Sequence, residues 1–281
     1  MRWDGRRSDN VEDGRGGGGG TKIIGGGIGA LIIGIVIYFL GGDPTQVLQQ
    51  GNMQAGTETK STQQKQAEDV LLDRTKQVLA YTENVWDSLF TANGMTYEKP
   101  KLKVFDFQTE SGCGEAGAST GPFYCPLDRK VYMDLSFFKE MEDRFHVPGD
   151  FSLAYVIAHE VGHHVQNLLG ISGKAQRYMQ RVSKTDANKA SVKLELQADF
   201  FAGVWAHHAN RMYHILDEND IEEALNAASA VGDDRLQKES QGRIVPDAFT
   251  HGTSAQRMFW FKKGFETGDM SQGDTFKSNE L

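Results

Sequence analysis

The chain has 281 residues, 39% of them hydrophobic and 24% charged, with a formal net charge of −8. That length and apolar content support one buried core. The acidic balance and the lack of any DNA or RNA motif argue against a nucleic-acid partner, and two cysteines are too few for a disulfide scaffold.

Residues 1–22 carry five basic side chains (Arg2, Arg6, Arg7, Arg15, Lys22) against four acidic ones, and include the Gly-rich tether GRGGGGG. Ile23 to Leu40 follows as eighteen residues without a charge, about 27 Å as a helix and close to the thickness of a bilayer core. The expectation is one transmembrane helix over 23–42, retained because the run exceeds signal length and GGDPTQ offers no small-x-small cleavage site. The basic excess before the span, with only Lys60 in the twenty residues after it, turns the amino terminus to the cytoplasm. Everything after residue 42 is then extracytoplasmic, in the periplasm of the inner membrane for a Gram-negative source. Gly26, Ala30 and Gly34 form a small-residue stripe through which two anchors could pair as a homodimer.

Residues 43–66, rich in Gln, Thr and Gly, read as a linker, and a single domain is expected over 67–268. Apolar spacing predicts a long helix from Ala67 to Phe90, ended by Asn93 and Gly94. LKVFDF and KVYMDL alternate like strands, and Lys130–Leu135 is a candidate edge for holding an extended peptide. Cys113 and Cys125 flank a Gly-rich turn region and are expected to pair in an extracytoplasmic domain. Further helices are predicted near 137–144, 173–184, 220–231 and 254–264, with a flexible tail over 269–281. The fold class is α+β, mostly helical with a small sheet.

Chemistry concentrates in AYVIAHEVGHHVQNLL. Pro148, Gly149 and Asp150 signal a helix start, Leu153, Val156, Ile157, Val161, Val165 and Leu168 recur at helical spacing, and Gly170 stops it. His159 and His163, four apart, share one helical face and can converge on a single zinc ion, with Glu160 beside the water site. The bland alternative is a core helix with two satisfied histidines. A metzincin extension fails, because Gln166 and Leu169 stand where Gly and His are required. About thirty residues on, ASVKLELQADFFAGVWAHHAN forms a second apolar helix with Glu195 and Asp199 one turn apart. Glu195 can complete a His, His, Glu site while Asp199 accepts the outward N–H of His159; the reverse assignment stays open. His207 and His208 lie about 18 Å or more further along and are weaker candidates.

The blocks AHEVGHHVQ, LELQADFFAGVWA, GPFYCPLDRKVYMDLSFF, HGTSAQR and the opening MRWDGRRSDNVED resemble the bacterial neutral zinc metallopeptidases of the YpfJ type. The pairing of HExxH with a later ExxxD is also similar to gluzincins, including HtpX-type membrane peptidases. The resemblance implies a zincin-like domain with His159, His163 and Glu195 as ligands, Glu160 as general base and Asp199 behind His159. His251 and Arg257 are spaced like a late His-Pro…Arg element of the HtpX type, with Gly252 in place of the Pro. This makes His251 a candidate transition-state stabiliser, against a structural His before a helix start, and Tyr155 a weaker one. The expected function is a membrane-anchored zinc endopeptidase acting on a peptide or protein. The competing class is a tethered zinc protein that binds partners without cleaving them, which would have no use for Glu160.

Overall fold

A computed structural model describes residues 1–16, 61–145 and 150–278. The expected span over 23–42, its small-residue stripe and most of the linker lie outside the described residues. Among those described, no helix is long and apolar enough to cross a membrane.

The first strand, β1 (Val11–Asp13), precedes the long helix α1 (Thr62–Ala92). Helix α1 begins five residues before the predicted start, because Ser61 and Gln64 close a capping box over a polar, exposed first turn that apolar periodicity cannot detect. It ends at Asn93 and Gly94, where φ of +69° suits glycine. Strand β2 (Lys101–Phe105), the hairpin β3 (Gln108–Ser111) and β4 (Gly114–Gly117), then β5 (Phe123–Cys125) and β6 (Lys130–Asp134) complete the β structure. The helices α2 (Ser136–Phe145), α3 (Asp150–Leu168), α4 (Ile171–Met179), α5 (Lys184–Tyr213), α6 (Asp220–Ala230), α7 (Asp233–Gln241) and α8 (Ser254–Thr267) follow. Helix α7 is absent from the sequence reading because DDRLQKESQ has one apolar residue and hence no period.

The main sheet has the order β1-β2-β6-β5, with β1, β2 and β6 parallel and β5 antiparallel. This corrects two expectations. Strand β6 is flanked on both sides and cannot offer an edge to a peptide; the edge nearer α3 is β5. The amino-terminal residues are not a segment apart from the domain, since Val11, Glu12 and Asp13 pair with Leu102, Lys103 and Val104. The tail is corrected too. Thr275 is fully buried, its hydroxyl donates to the Lys193 carbonyl at 2.6 Å, and Gln197 donates to the Gly273 carbonyl at 2.6 Å. The Cys113–Cys125 disulfide is formed and ties the β3–β4 turn to β5.

The core lies where α1, α3, α5 and α8 meet, around Tyr81, Trp86, Phe151, Ile157, Phe200, Trp205, Trp260 and Phe261. Each large apolar side chain taken out of water contributes about 1.5–3 kcal/mol. Two close helix crossings fix the site. A Cβ at Gly162 of α3 would stand 2.9 Å from the Ala198 carbonyl oxygen of α5, and one at Gly203 of α5 would stand 2.0 Å from the Phe261 carbonyl oxygen of α8. Glycine permits both approaches.

Candidate metal centre

Because Gly162 lies inside the HExxH string, α5 approaches α3 closely beside the histidines. His159 Nε2 is 3.2 Å from Glu195 Oε2, and His163 Nε2 is 3.5 Å from Glu195 Oε1. The three ligand atoms that these residues offer lie within 4.8 Å of one another. The two rings are perpendicular with centroids 4.8 Å apart, so their nitrogens point to a shared volume.

Hydrogen bonds behind each ring decide which nitrogen is available. His159 Nδ1–H donates to Asp199 Oδ1 at 2.8 Å, and His163 Nδ1–H donates to Gln166 Oε1 at 2.9 Å. Both Nε2 lone pairs are thereby left facing Glu195. Gln166 is itself fixed, donating to the Leu194 carbonyl at 2.7 Å and Gln197 Oε1 at 3.1 Å. Its role went unread in the sequence, where Gln166 figured only as a departure from the metzincin pattern. Its place three residues after His163 was the available signal.

Behind His159, Arg257 donates from Nε to Asp199 Oδ2 at 2.8 Å and from a terminal nitrogen to Oδ1 at 3.0 Å. The Tyr155 hydroxyl donates to Asp199 Oδ1 at 2.5 Å. Tyr155 therefore faces the Nδ1 side of His159, away from the nitrogen that faces Glu195, and sits in the wrong place for a transition-state group. Burial opposes the charge on Asp199, yet Arg257 and His159 hold its carboxyl below the usual range.

The front of the site is electrically different. Burial alone would raise the Glu195 carboxyl, but His163, His251 and the bond from His159 hold it well below the usual range. Burial likewise disfavours a charged His159, but Asp199 and Glu195 outweigh it and push the imidazole up to about 10. His163 is raised against its own burial, chiefly by Glu195. Glu160, 7% exposed and without a side-chain hydrogen bond to the described residues, is raised by burial, with Glu195 adding to it against the two histidines. Two carboxylates thus face two imidazoles whose free lone pairs converge, a donor set that fits a divalent zinc.

His251 stands at the rim, before the Thr253 cap of α8. Its Nδ1 is 2.9 Å from Thr250 Oγ1 and 3.4 Å from Asp233 Oδ1. Asp233 Oδ2 also accepts the backbone N–H groups of Thr250, His251 and Gly252 at 2.6–3.0 Å, clamping the loop. Gly252 has φ of +94°, which proline cannot adopt, so the replacement of Pro reflects a different local backbone. Asp233 was not singled out in the sequence, because nothing local links it to a residue eighteen positions away.

His164, His207 and His208 are structural. His207 and His208 bond the Phe265 and Gly268 carbonyls at 2.8 Å each, closing the end of α8. His164 donates to the Glu98 carbonyl at 2.6 Å and accepts from the Tyr124 hydroxyl at 3.0 Å, tying edge strand β5 to α3.

Comparison with known proteins agrees with this geometry. The model of the family described as "Putative neutral zinc metallopeptidase" matches residues 1–276. The chain is 48% identical to "Uncharacterized protein YpfJ" of Escherichia coli K12, over 98% of this chain and 99% of that protein. It is 43% identical to "Uncharacterized protein Rv2575" of Mycobacterium tuberculosis H37Rv, over 70% of this chain and 68% of that one. No solved structure matches it significantly. With a family match over nearly its whole length and a converging His, His, Glu cluster, the chain belongs to this neutral zinc metallopeptidase family.

Proposed function

We propose that the protein is a zinc-dependent endopeptidase that hydrolyses unfolded polypeptide. The observation that carries this reading is the convergence of His159 Nε2, His163 Nε2 and a Glu195 oxygen beside a buried Glu160 whose carboxyl takes no hydrogen bond from the described residues. Those three side chains would hold the ion, and zinc when bound supplies Lewis acidity and lowers the pKa of a water toward about 7.

The protein's own groups do the rest. Glu160, raised by burial, accepts a proton from the attacking water and passes it to the leaving amine. Asp199 and Gln166 keep both imidazoles in the tautomer with free Nε2, so neither ligand rotates away. His251, oriented by Asp233 and raised by Glu195 and Asp233 against its burial, donates to the developing oxyanion. The open edge of β5, tied to α3 through Tyr124 and His164, holds the substrate backbone.

The direct test is Glu160→Gln with metal analysis of the purified protein. Zinc content should stay at one ion per chain while hydrolysis of an unfolded protein falls by about 10²–10⁴-fold. Retained hydrolysis would end the assignment of Glu160. A wild-type protein that holds zinc and cleaves nothing would leave the non-catalytic tethered reading in its place. His251→Ala separately should lower kcat with the metal retained, and unchanged turnover removes it from the mechanism.

A further inference from the structure

A cavity of about 720 Å³ lies between α4, α5 and residues 270–277, apart from the metal centre. Lys193 and Gln197 of α5 line it, two positions to either side of Glu195 and so roughly 200° around the helix from that residue. The volume is in the range that takes a small organic molecule.

Its inner surface is apolar. Ala175, Ala190 and Phe201 are buried there, and the half-buried Leu169, Met270 and Phe276 complete the walls. The polar groups among them are already bonded within the protein. Gln197 donates to the Gly273 carbonyl at 2.6 Å and accepts from Gln166 at 3.1 Å, and Lys193 Nζ donates to the Phe276 carbonyl at 3.3 Å. A ligand that enters is therefore matched by hydrocarbon rather than by hydrogen bonds.

The mouth has the opposite character. The lining carries four lysines and two aspartates, a net of +2, in a chain whose total is −8. Lys277 pairs with Asp274 at 2.8 Å, and Asp186 accepts the Ser183 hydroxyl at 2.8 Å. Lys174 and Lys189 are exposed and have no carboxylate partner among the described residues. Two unmatched ammonium groups beside an apolar cavity select an anion with a hydrocarbon body.

We propose that this cavity binds a single-chain acyl anion, its hydrocarbon chain among the apolar walls and its carboxylate at Lys174 and Lys189. The proposal is independent of whether the metal centre cleaves peptides.

The test titrates decanoate, kept below the concentration at which it forms micelles, into the purified full chain by calorimetry, with decanol and acetate beside it. Decanoate should bind at one site per chain, shortening it by two methylenes should weaken binding on the order of tenfold, and acetate should not bind. Lys174→Gln with Lys189→Gln changes only exposed positions; it should weaken decanoate about 5-fold and leave decanol unchanged. Decanoate carrying a terminal diazirine locates the site without any substitution, and its adducts should fall on α4, α5 and residues 270–277. Absence of saturable binding, equal decanoate affinity in the double variant, or adducts elsewhere in the chain overturns the proposal. So does a hydrophobic tripeptide with a free carboxyl terminus that binds more tightly than decanoate and displaces it, which would assign the cavity to a peptide end.

Discussion

The two sides of the His159 ring face clusters of opposite electrical character. Behind it, Asp199 is matched by Arg257, and Tyr155 supplies a further donor, so a fully buried ion pair is balanced and bonded. In front of it, Glu160 and Glu195 face two imidazoles whose lone pairs are turned inward, and no ion pair from an arginine or lysine reaches either carboxylate among the described residues. Without a metal, protons can fill that deficit: Glu195 pushes His163 upward, and it adds to the larger upward push of Asp199 on His159. A buried site that is left anionic beside one that is neutralised marks where a cation is meant to bind.

The sharpest way to break the comparison is to remove the front carboxylate. Glu195→Ala should abolish metal retention and hydrolysis together while the protein still folds, read by metal analysis and circular dichroism. Removing the cation behind should do the reverse. Arg257→Ala leaves Asp199 buried with its charge unmatched and should cost about 3–5 kcal/mol in denaturant unfolding. A control away from both clusters is the disulfide. Cys113→Ser with Cys125→Ser should lower stability by about 3 kcal/mol, measured by the shift in unfolding midpoint, with kcat of the folded protein unchanged. The smallest effect belongs to the bond behind His163. Gln166→Ala should weaken zinc about 10–100-fold, measured by competition with a chelator.

What was legible in the sequence is what short-range spacing encodes. His159, Glu160 and His163 lie within five residues, and Glu195 and Asp199 within another five, so helical geometry alone put the two histidines on one face and the two acids on another. Both helices were also readable from their apolar period. The order of strands was not, because alternation in KVYMDL gives a strand its two faces and says nothing about its neighbours. Asp233 reaches the site through a contact 18 positions away, where no local pattern exists, and Arg257, named from its spacing to His251, pairs with Asp199 58 positions away, a partner that spacing did not give. The amino-terminal segment, residues 1–16, was misread for a related reason. Its three-residue strand is below the length at which periodicity speaks, and counting its arginines as free charge overlooked the carboxylates that pair with them.

The amino-terminal segment also sets an order of events during synthesis. Its residues leave the ribosome before the rest of the domain, yet Glu12 waits for Lys103, Arg2 for Ile215 and the Met1 nitrogen for Asp220, a partner 219 positions later. Contacts of such long sequence separation close slowly and last. A nascent chain that stops short of Ile215 therefore has a complete HExxH helix and a beginning that is only partly seated, so the domain matures only after most of it has been made.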